Sequence, residues 1–150
     1  MSGRREGLAL ALEQAVRHEQ GALTAKQQQD ARCQAAEDQL KALKIYQEEY
    51  LAMLSQPEPR TATPDGLRNG QAFLTQLGAA VAMQEAQCQA LDKERQACAD
   101  RWQTAVRRRK GIEAVLASRK RTERRQDARQ EQRNLDDWTQ RSQAACPLTK

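Results

Sequence analysis

The chain has 150 residues, the length of one ordinary domain, and 25 of them are alanine. Leucine, isoleucine, valine and phenylalanine together make only 22 residues, below the roughly 20% of the chain that a compact globular core requires. Alanine, glutamate, lysine, leucine and arginine account for 77 residues, a composition typical of long helices and coiled coils. With seven glycines and few β-branched residues, the chain cannot form a β-sandwich, a barrel or a Rossmann domain.

The net charge of +5 is unevenly distributed along the sequence. The segment from Arg101 to Arg133 carries a net charge of +8, and the remainder carries −3. Such a basic segment can bind an acidic protein surface, nucleic acid or anionic lipid. The apolar run from Leu8 to Leu12 is too short for a signal peptide, and no run approaches the roughly 20 apolar residues of a transmembrane helix. We therefore expect a soluble, cytoplasmic protein.

The first predicted element is a helix over about residues 5–55, in a segment that contains no proline. Its heptad positions a and d are mainly apolar, and we call the stripe that they form the seam. The d series is Leu8, Ala15, Ala22, Gln29, Ala36, Leu43 and Tyr50, and the a series is Leu12, Glu19, Lys26, Cys33, Leu40, Gln47 and Leu54. Polar residues interrupt the seam between Glu19 and Gln29, which predicts loose helix contacts there.

The next predicted element is a loop over residues 56–64, because prolines and a glycine cluster in the sequence PEPRTATPDG. Thr63, Pro64 and Asp65 have the residue types preferred at the N-cap, N1 and N2 positions of a helix. A second helix is therefore predicted over about residues 65–143. Its a series is Leu74, Val81, Cys88, Arg95, Trp102, Arg109 and Leu116, and its d series is Leu77, Gln84, Leu91, Cys98, Ala105 and Ile112.

The seam of the second helix ends at Leu116, which bears on how the helices pair. Folding the chain back through the loop pairs residue i with about residue 122 − i, so Leu116 lies opposite Glu6. The seam thus ends where the first helix has no further residues to pair with the second, as expected of an antiparallel helical hairpin. The predicted fold is a single all-α domain, a long antiparallel two-helix coiled coil with a basic helical extension from about Ala117 to Arg141.

Catalytic residues are scarce in this sequence. His18 is the only histidine, and we expect it to be solvent-exposed. The four cysteines lack the spacing of a zinc site and are expected to pack as small apolar side chains. Glycine-rich phosphate-binding loops are absent as well. We expect no enzymatic activity, no cofactor and no metal.

Two groups of residues are candidates for binding a partner. The first is an apolar stripe near the hairpin tip that either caps the seam, through contact of Phe73 with Tyr46 or Tyr50, or binds a partner. It consists of Phe73, Leu77, Ala80 and Gln84. The second, the basic surface, consists of Arg107, Arg108, Lys110, Arg119, Lys120, Arg121, Arg124 and Arg125. These residues could simply form a solvated helix face, but we favour the interpretation that they bind an acidic protein partner. Nucleic acid is less favoured because no aromatic residue interrupts the basic run to stack on bases.

Three segments resemble the FliJ family of flagellar type III export components, and together they cover nearly the whole chain. The segment QLKALKIYQEEYLAML is similar to the family's stretch of leucines with paired tyrosines. LRNGQAFLTQLGAAVAMQE is similar to its Phe-Leu-x-x-Leu segment. WQTAVRRRKGIEAVLASRKRTERRQDARQEQRNLDDWTQRS is similar to its Glu-x-x-Leu and arginine-rich run, with a closing Gln-x-x-Leu-Asp.

The resemblance implies a stalk like the γ subunit of rotary ATPases, which also acts as an export chaperone. Its partners would be the hexameric flagellar export ATPase and the cytoplasmic domain of the export gate, with export chaperones as further partners. Through this apparatus the protein would associate peripherally with the inner membrane. Phe73, Leu77 and Ala80 would face the gate, and the basic surface would meet the ATPase ring. An injectisome stalk, a nucleic-acid-binding protein and a scaffolding coiled coil remain alternatives.

Overall fold

The protein is described here by a computed structural model that covers residues 2–56 and 63–145. It contains two long helices, α1 (Ser2–Ser55) and α2 (Pro64–Ala145), which pack against each other in the manner of a helical hairpin. The predicted all-α class is confirmed. Most of the predicted loop, residues 57–62, lies outside the described residues. Neither helix has, over its described length, a stretch long and apolar enough to cross a membrane.

The start of α2 has the predicted N-cap. The Thr63 hydroxyl oxygen accepts a hydrogen bond from the backbone N–H of Gly66 at 3.2 Å. The carbonyl oxygen of Thr63 accepts another from the N–H of Leu67 at 3.0 Å. Pro64 is the first residue of the helix, and Asp65 places its carboxylate in the first turn, where the positive end of the helix dipole favours it. The prediction of the N-cap at Thr63 is confirmed.

The structure divides into two compact units, residues 18–105 and residues 1–17 with 106–150. Within the first unit the helices are antiparallel. Gln29 is hydrogen-bonded to Leu91, and Tyr50 packs on Phe73 near the tip. In the hydrogen-bonded and aromatic pairs that join α1 to α2 in this unit, the residue numbers add up to 119–124. This agrees with the predicted pairing of residue i with about 122 − i.

The interior of the unit formed by residues 18–105 consists of seam residues. The buried members are Gln29, Cys33, Ala36, Gly70, Leu77, Val81, Cys98 and Ala105. Every predicted a and d position in this unit is buried or half-buried except Arg95. The expectation of loose contacts at Gln29 is wrong, because its amide has a hydrogen-bond partner on the opposite helix and its side chain is buried.

The second unit, described over residues 2–17 and 106–145, pairs the start of α1 with the later part of α2. Ala15 is buried there, and Leu12 and Leu116 are half-buried. Arg5 Nε donates a hydrogen bond to Glu123 Oε1 at 2.8 Å, and the two side chains form an ion pair. The pairing extends past its predicted end at about Ala117 through the polar Arg5–Glu123 pair, whereas positions 117–122 are exposed as predicted for an unpaired helix. All side chains at positions 124–141 are exposed.

Candidate interaction surfaces

The predicted apolar stripe lies on the side of α2 that faces α1. Leu77 is buried, and Phe73, Ala80 and Gln84 are half-buried. The Phe73 ring meets Tyr46 in a T-shaped arrangement, with ring centroids 6.1 Å apart and planes at 85°. It also packs against Tyr50 at 4.8 Å and 58°. The structure therefore contains the capping contact that the sequence offered as one alternative, and it leaves part of the Phe73 ring accessible.

Other exposed apolar side chains of residues 18–105 were missed by the sequence analysis. Met53 and Met83 are 70% and 75% exposed, and about half of Tyr46 is exposed. Tyr46 and Met53 both occupy g positions, directly beside the seam and seven residues apart on α1. Apolar residues at these flanking positions were the available signal, and Tyr46 adds its exposed part to the apolar surface at Phe73. The full group of large exposed apolar residues here is Ile45, Tyr46, Leu51, Met53, Leu67 and Met83.

Gly70 and Gly78 differ in how closely the helices approach them. A Cβ atom at Gly70 would lie 2.9 Å from Leu54 Cδ2, so the absence of a side chain allows a close contact there. A Cβ atom at Gly78 would meet nothing nearer than Gln47 Nε2 at 3.9 Å. A side chain at the first position would therefore require Leu54 to shift, whereas one at the second would not displace a neighbour.

All eight residues of the basic surface are exposed. Within the part of the chain that the structure describes, none of the eight forms an ion pair. The neighbouring Arg109 differs, since its Nη1 lies 2.9 and 3.0 Å from the two carboxylate oxygens of Glu113. The basic surface thus consists of solvated cations that are available to an anionic partner.

A groove of about 660 Å³ accompanies the basic surface in the unit formed by residues 1–17 and 106–150. It combines apolar side chains with both signs of charge. It is lined by Arg5, Ala9, Leu12, Glu13, Leu116, Arg119, Lys120, Glu123, Arg124 and Asp127. The sequence analysis found the α2 side of this groove but missed the α1 side, because it ended the helix pairing at Leu116.

The two units carry opposite net charge. Residues 1–17 and 106–150 carry +8, whereas residues 18–105 carry −3. The basic surface and the groove therefore lie in the strongly basic unit, and the apolar stripe lies in the mildly acidic one. This separation indicates two different kinds of binding surface.

Within the described residues, the groups that could bind a metal or act as nucleophiles include the side chains of His, Cys, Asp and Glu. Over residues 2–56 and 63–145, no cluster of His, Cys, Asp or Glu is placed to hold a metal ion. Cys33 and Cys98 are buried in the seam, and Cys33 Sγ donates a hydrogen bond to Leu91 O at 3.2 Å. Burial raises the pKa of the Cys33 thiol, which disfavours the reactive thiolate. His18 is exposed, as predicted.

Paired helices with a seam of small residues, an apolar stripe and a basic surface define an all-helical protein whose distinctive features are its surfaces. The sequence model of the family described as Flagellar FliJ protein matches residues 6–145. The chain belongs to the FliJ family, a non-enzymatic group of components related to flagellar type III export. No curated protein and no solved structure matches the chain.

Proposed function

We propose that this protein is the central stalk of the flagellar export apparatus and couples the hexameric export ATPase to the cytoplasmic domain of the export gate. The observation that carries the proposal is the family match over residues 6–145. The antiparallel packing through a and d positions supports it, since a two-helix coiled coil of this kind resembles the stalk of rotary ATPases. The protein would act in the cytoplasm and reach the inner membrane only through the apparatus.

The basic surface would contact the ATPase ring. A stalk within a ring contacts different subunits unequally, so it biases their conformational states through differences in contact energy. Exposed cations without described ion-pair partners suit an acidic ring lumen and accelerate association with it. Arg119, Lys120 and Arg124 would contribute most, because they also line the groove and border its apolar residues.

The apolar stripe would bind the cytoplasmic domain of the export gate. The accessible part of Phe73 adjoins the exposed Tyr46, so the two rings present apolar surface beside the seam. Ala80 and Gln84 would border that contact, and Leu77 would support it from within the seam. Export chaperones would be further partners. Such a patch on an otherwise polar protein favours protein binding.

The first experiment measures ATP hydrolysis and the oligomeric state of the purified export ATPase from the same organism, with and without this protein at moderate salt. We expect faster hydrolysis and more hexamer. A variant carrying Arg119→Glu, Lys120→Glu and Arg124→Glu should lose both effects. The control carries Lys41→Glu and Lys93→Glu, exposed positions in the acidic unit, and should behave as wild type. A wild-type protein that leaves hydrolysis and assembly unchanged would contradict the stalk proposal.

A further inference from the structure

Two glutamines reach across the helix pair in the unit formed by residues 18–105. Gln29 Nε2 on α1 donates a hydrogen bond to Leu91 O on α2 at 3.2 Å. Gln84 Nε2 on α2 donates to Ala36 O on α1 at 3.0 Å. The donors are on opposite helices, and all four residues occupy d positions. Each helix contributes residues seven positions apart, so the two bonds form consecutive, reciprocal layers of the seam.

These side chains are costly to place in the seam unless their amides are bonded. Gln29 is only 5% exposed, and a buried amide without a partner loses the hydrogen bonds that water would supply. Gln84 has a second acceptor, Gln39 Oε1, at 3.3 Å. The observed axial alignment of α1 and α2 therefore satisfies both amides at the same time.

Away from the contacts of Phe73 and Leu54, the apolar part of the seam discriminates weakly between alignments. Alanine and cysteine occupy many of its positions, and Ala36, Cys98 and Ala105 are among its buried members. Small side chains bury little apolar area, so a slide of one helix along the other changes hydrophobic contact only modestly. A slide of half a heptad, about 5 Å along the axis, would instead break both glutamine bonds together.

We infer that Gln29 and Gln84 form a register clamp that fixes the axial alignment of α1 and α2 at some cost in stability. A polar residue within a coiled-coil seam specifies register in this way. The clamp concerns the isolated chain and does not depend on the proposed function. In a stalk, its consequence is that movement passes along the two helices as a rigid pair and not through their sliding.

The test uses the full chain with Gln29→Leu and Gln84→Leu, labelled at leucine and valine methyl groups and observed by NMR. Wild type should give one set of signals for Leu43, Val81 and Leu91. The double variant should give two or more sets, or broadened signals, because several alignments become populated. Its midpoint of thermal unfolding should equal or exceed that of wild type, since leucine removes two polar groups from the seam.

The matched control carries Gln27→Leu and Gln87→Leu, which change exposed glutamines on the same helices, and it should keep one set of signals. The single variants Gln29→Leu and Gln84→Leu extend the test if the double variant is poorly folded. One set of signals in both single variants and the double variant would overturn the inference, because the seam alone would then fix the alignment. A lower melting midpoint in every variant would also overturn it, because the glutamines would then supply stability and not alignment.

Discussion

At the residue scale, Gly70 and Gly78 are two helical glycines in α2 with different surroundings. Alanine is about 1 kcal/mol more favourable than glycine inside a helix. We expect Gly78→Ala to raise the free energy of unfolding by up to about 1 kcal/mol, because a Cβ atom there makes only an ordinary van der Waals contact, with Gln47 Nε2 at 3.9 Å. Gly70→Ala should gain less, because Leu54 must shift to admit the methyl group. Urea denaturation followed by circular dichroism measures both. A Gly78→Ala variant less stable than wild type would contradict this interpretation.

We expect the thiol of Cys33 to make the free energy of unfolding depend on pH in the alkaline range. Burial is the main cause that raises the pKa of its thiol, and Asp92 raises it further while Arg95 opposes the change. Since the folded-state pKa lies above the ordinary value of 9.0, the contribution of Cys33 is full below that pH and is lost as pH rises through the folded-state pKa. The free energy of unfolding should therefore fall more steeply above about pH 9 in wild type than in Cys33→Ala.

Urea denaturation of both proteins from pH 8 to pH 10 measures this difference, because all other titrating groups are common to them. Cys98→Ala removes a second buried sulfur from the seam and controls for lost packing. If the free energy of unfolding changes with pH in the same way in wild type and Cys33→Ala, the Cys33 thiol does not contribute to the pH dependence of stability.

At the element scale, the heptad pattern identified the residues that pack between α1 and α2. This was possible because a and d positions follow from local sequence alone. The burial of Gln29 could not be predicted in this way, since it depends on a carbonyl group of the opposite helix. The continuation of pairing to Glu123 was missed for a related reason: it rests on an ion pair with Arg5, and a hydrophobic pattern carries no information about polar contacts.

The candidate surfaces were predictable to different degrees. The exposure of the basic surface could be predicted from its many closely spaced charges, because charged side chains are almost never buried in a protein interior without partners. For Phe73 the sequence offered a cap or a docking residue, and only three-dimensional packing shows its contacts with Tyr46 and Tyr50. The exposure of Met53 and Met83 was missed, because an apolar residue outside the seam is not distinctive by itself.

The contribution of the Thr63 N-cap to the stability of α2 can be tested by substitution. Thr63→Ala removes the hydroxyl that accepts the Gly66 N–H, so we expect a loss of about 1 kcal/mol in the free energy of unfolding. Thr63→Ser should retain most of the stability, because serine supplies the same acceptor. Thr75→Ala, at an exposed position inside the helix, provides the control and should not reproduce the loss. Equal stability of Thr63→Ala and wild type would show that the cap does not stabilise the helix.

At the scale of the whole molecule, the separation of charge predicts salt-dependent association with the export ATPase. The basic unit carries +8, and long-range attraction between solvated charges is screened beyond about 10 Å at 0.1 M salt. In stopped-flow measurements the association rate should fall by about tenfold or more between low and high salt. The dissociation rate should change less. A salt-independent association rate would contradict binding through the basic surface.

The proposed function predicts that changes in the apolar stripe affect binding to the gate and not binding to the ATPase. Phe73 lies in the unit opposite in charge to the one that carries the basic surface, so Phe73→Ala should weaken affinity for the gate domain by about tenfold or more while stimulation of the ATPase is kept. Isothermal titration calorimetry measures the affinity for the gate domain, and a hydrolysis assay measures the stimulation of the ATPase. Leu135→Ala is the control, because it removes an exposed apolar side chain from the other unit. If Phe73→Ala lowers the melting temperature but binds the gate domain as wild type does, its packing against Tyr46 and Tyr50 serves only to close the end of the seam.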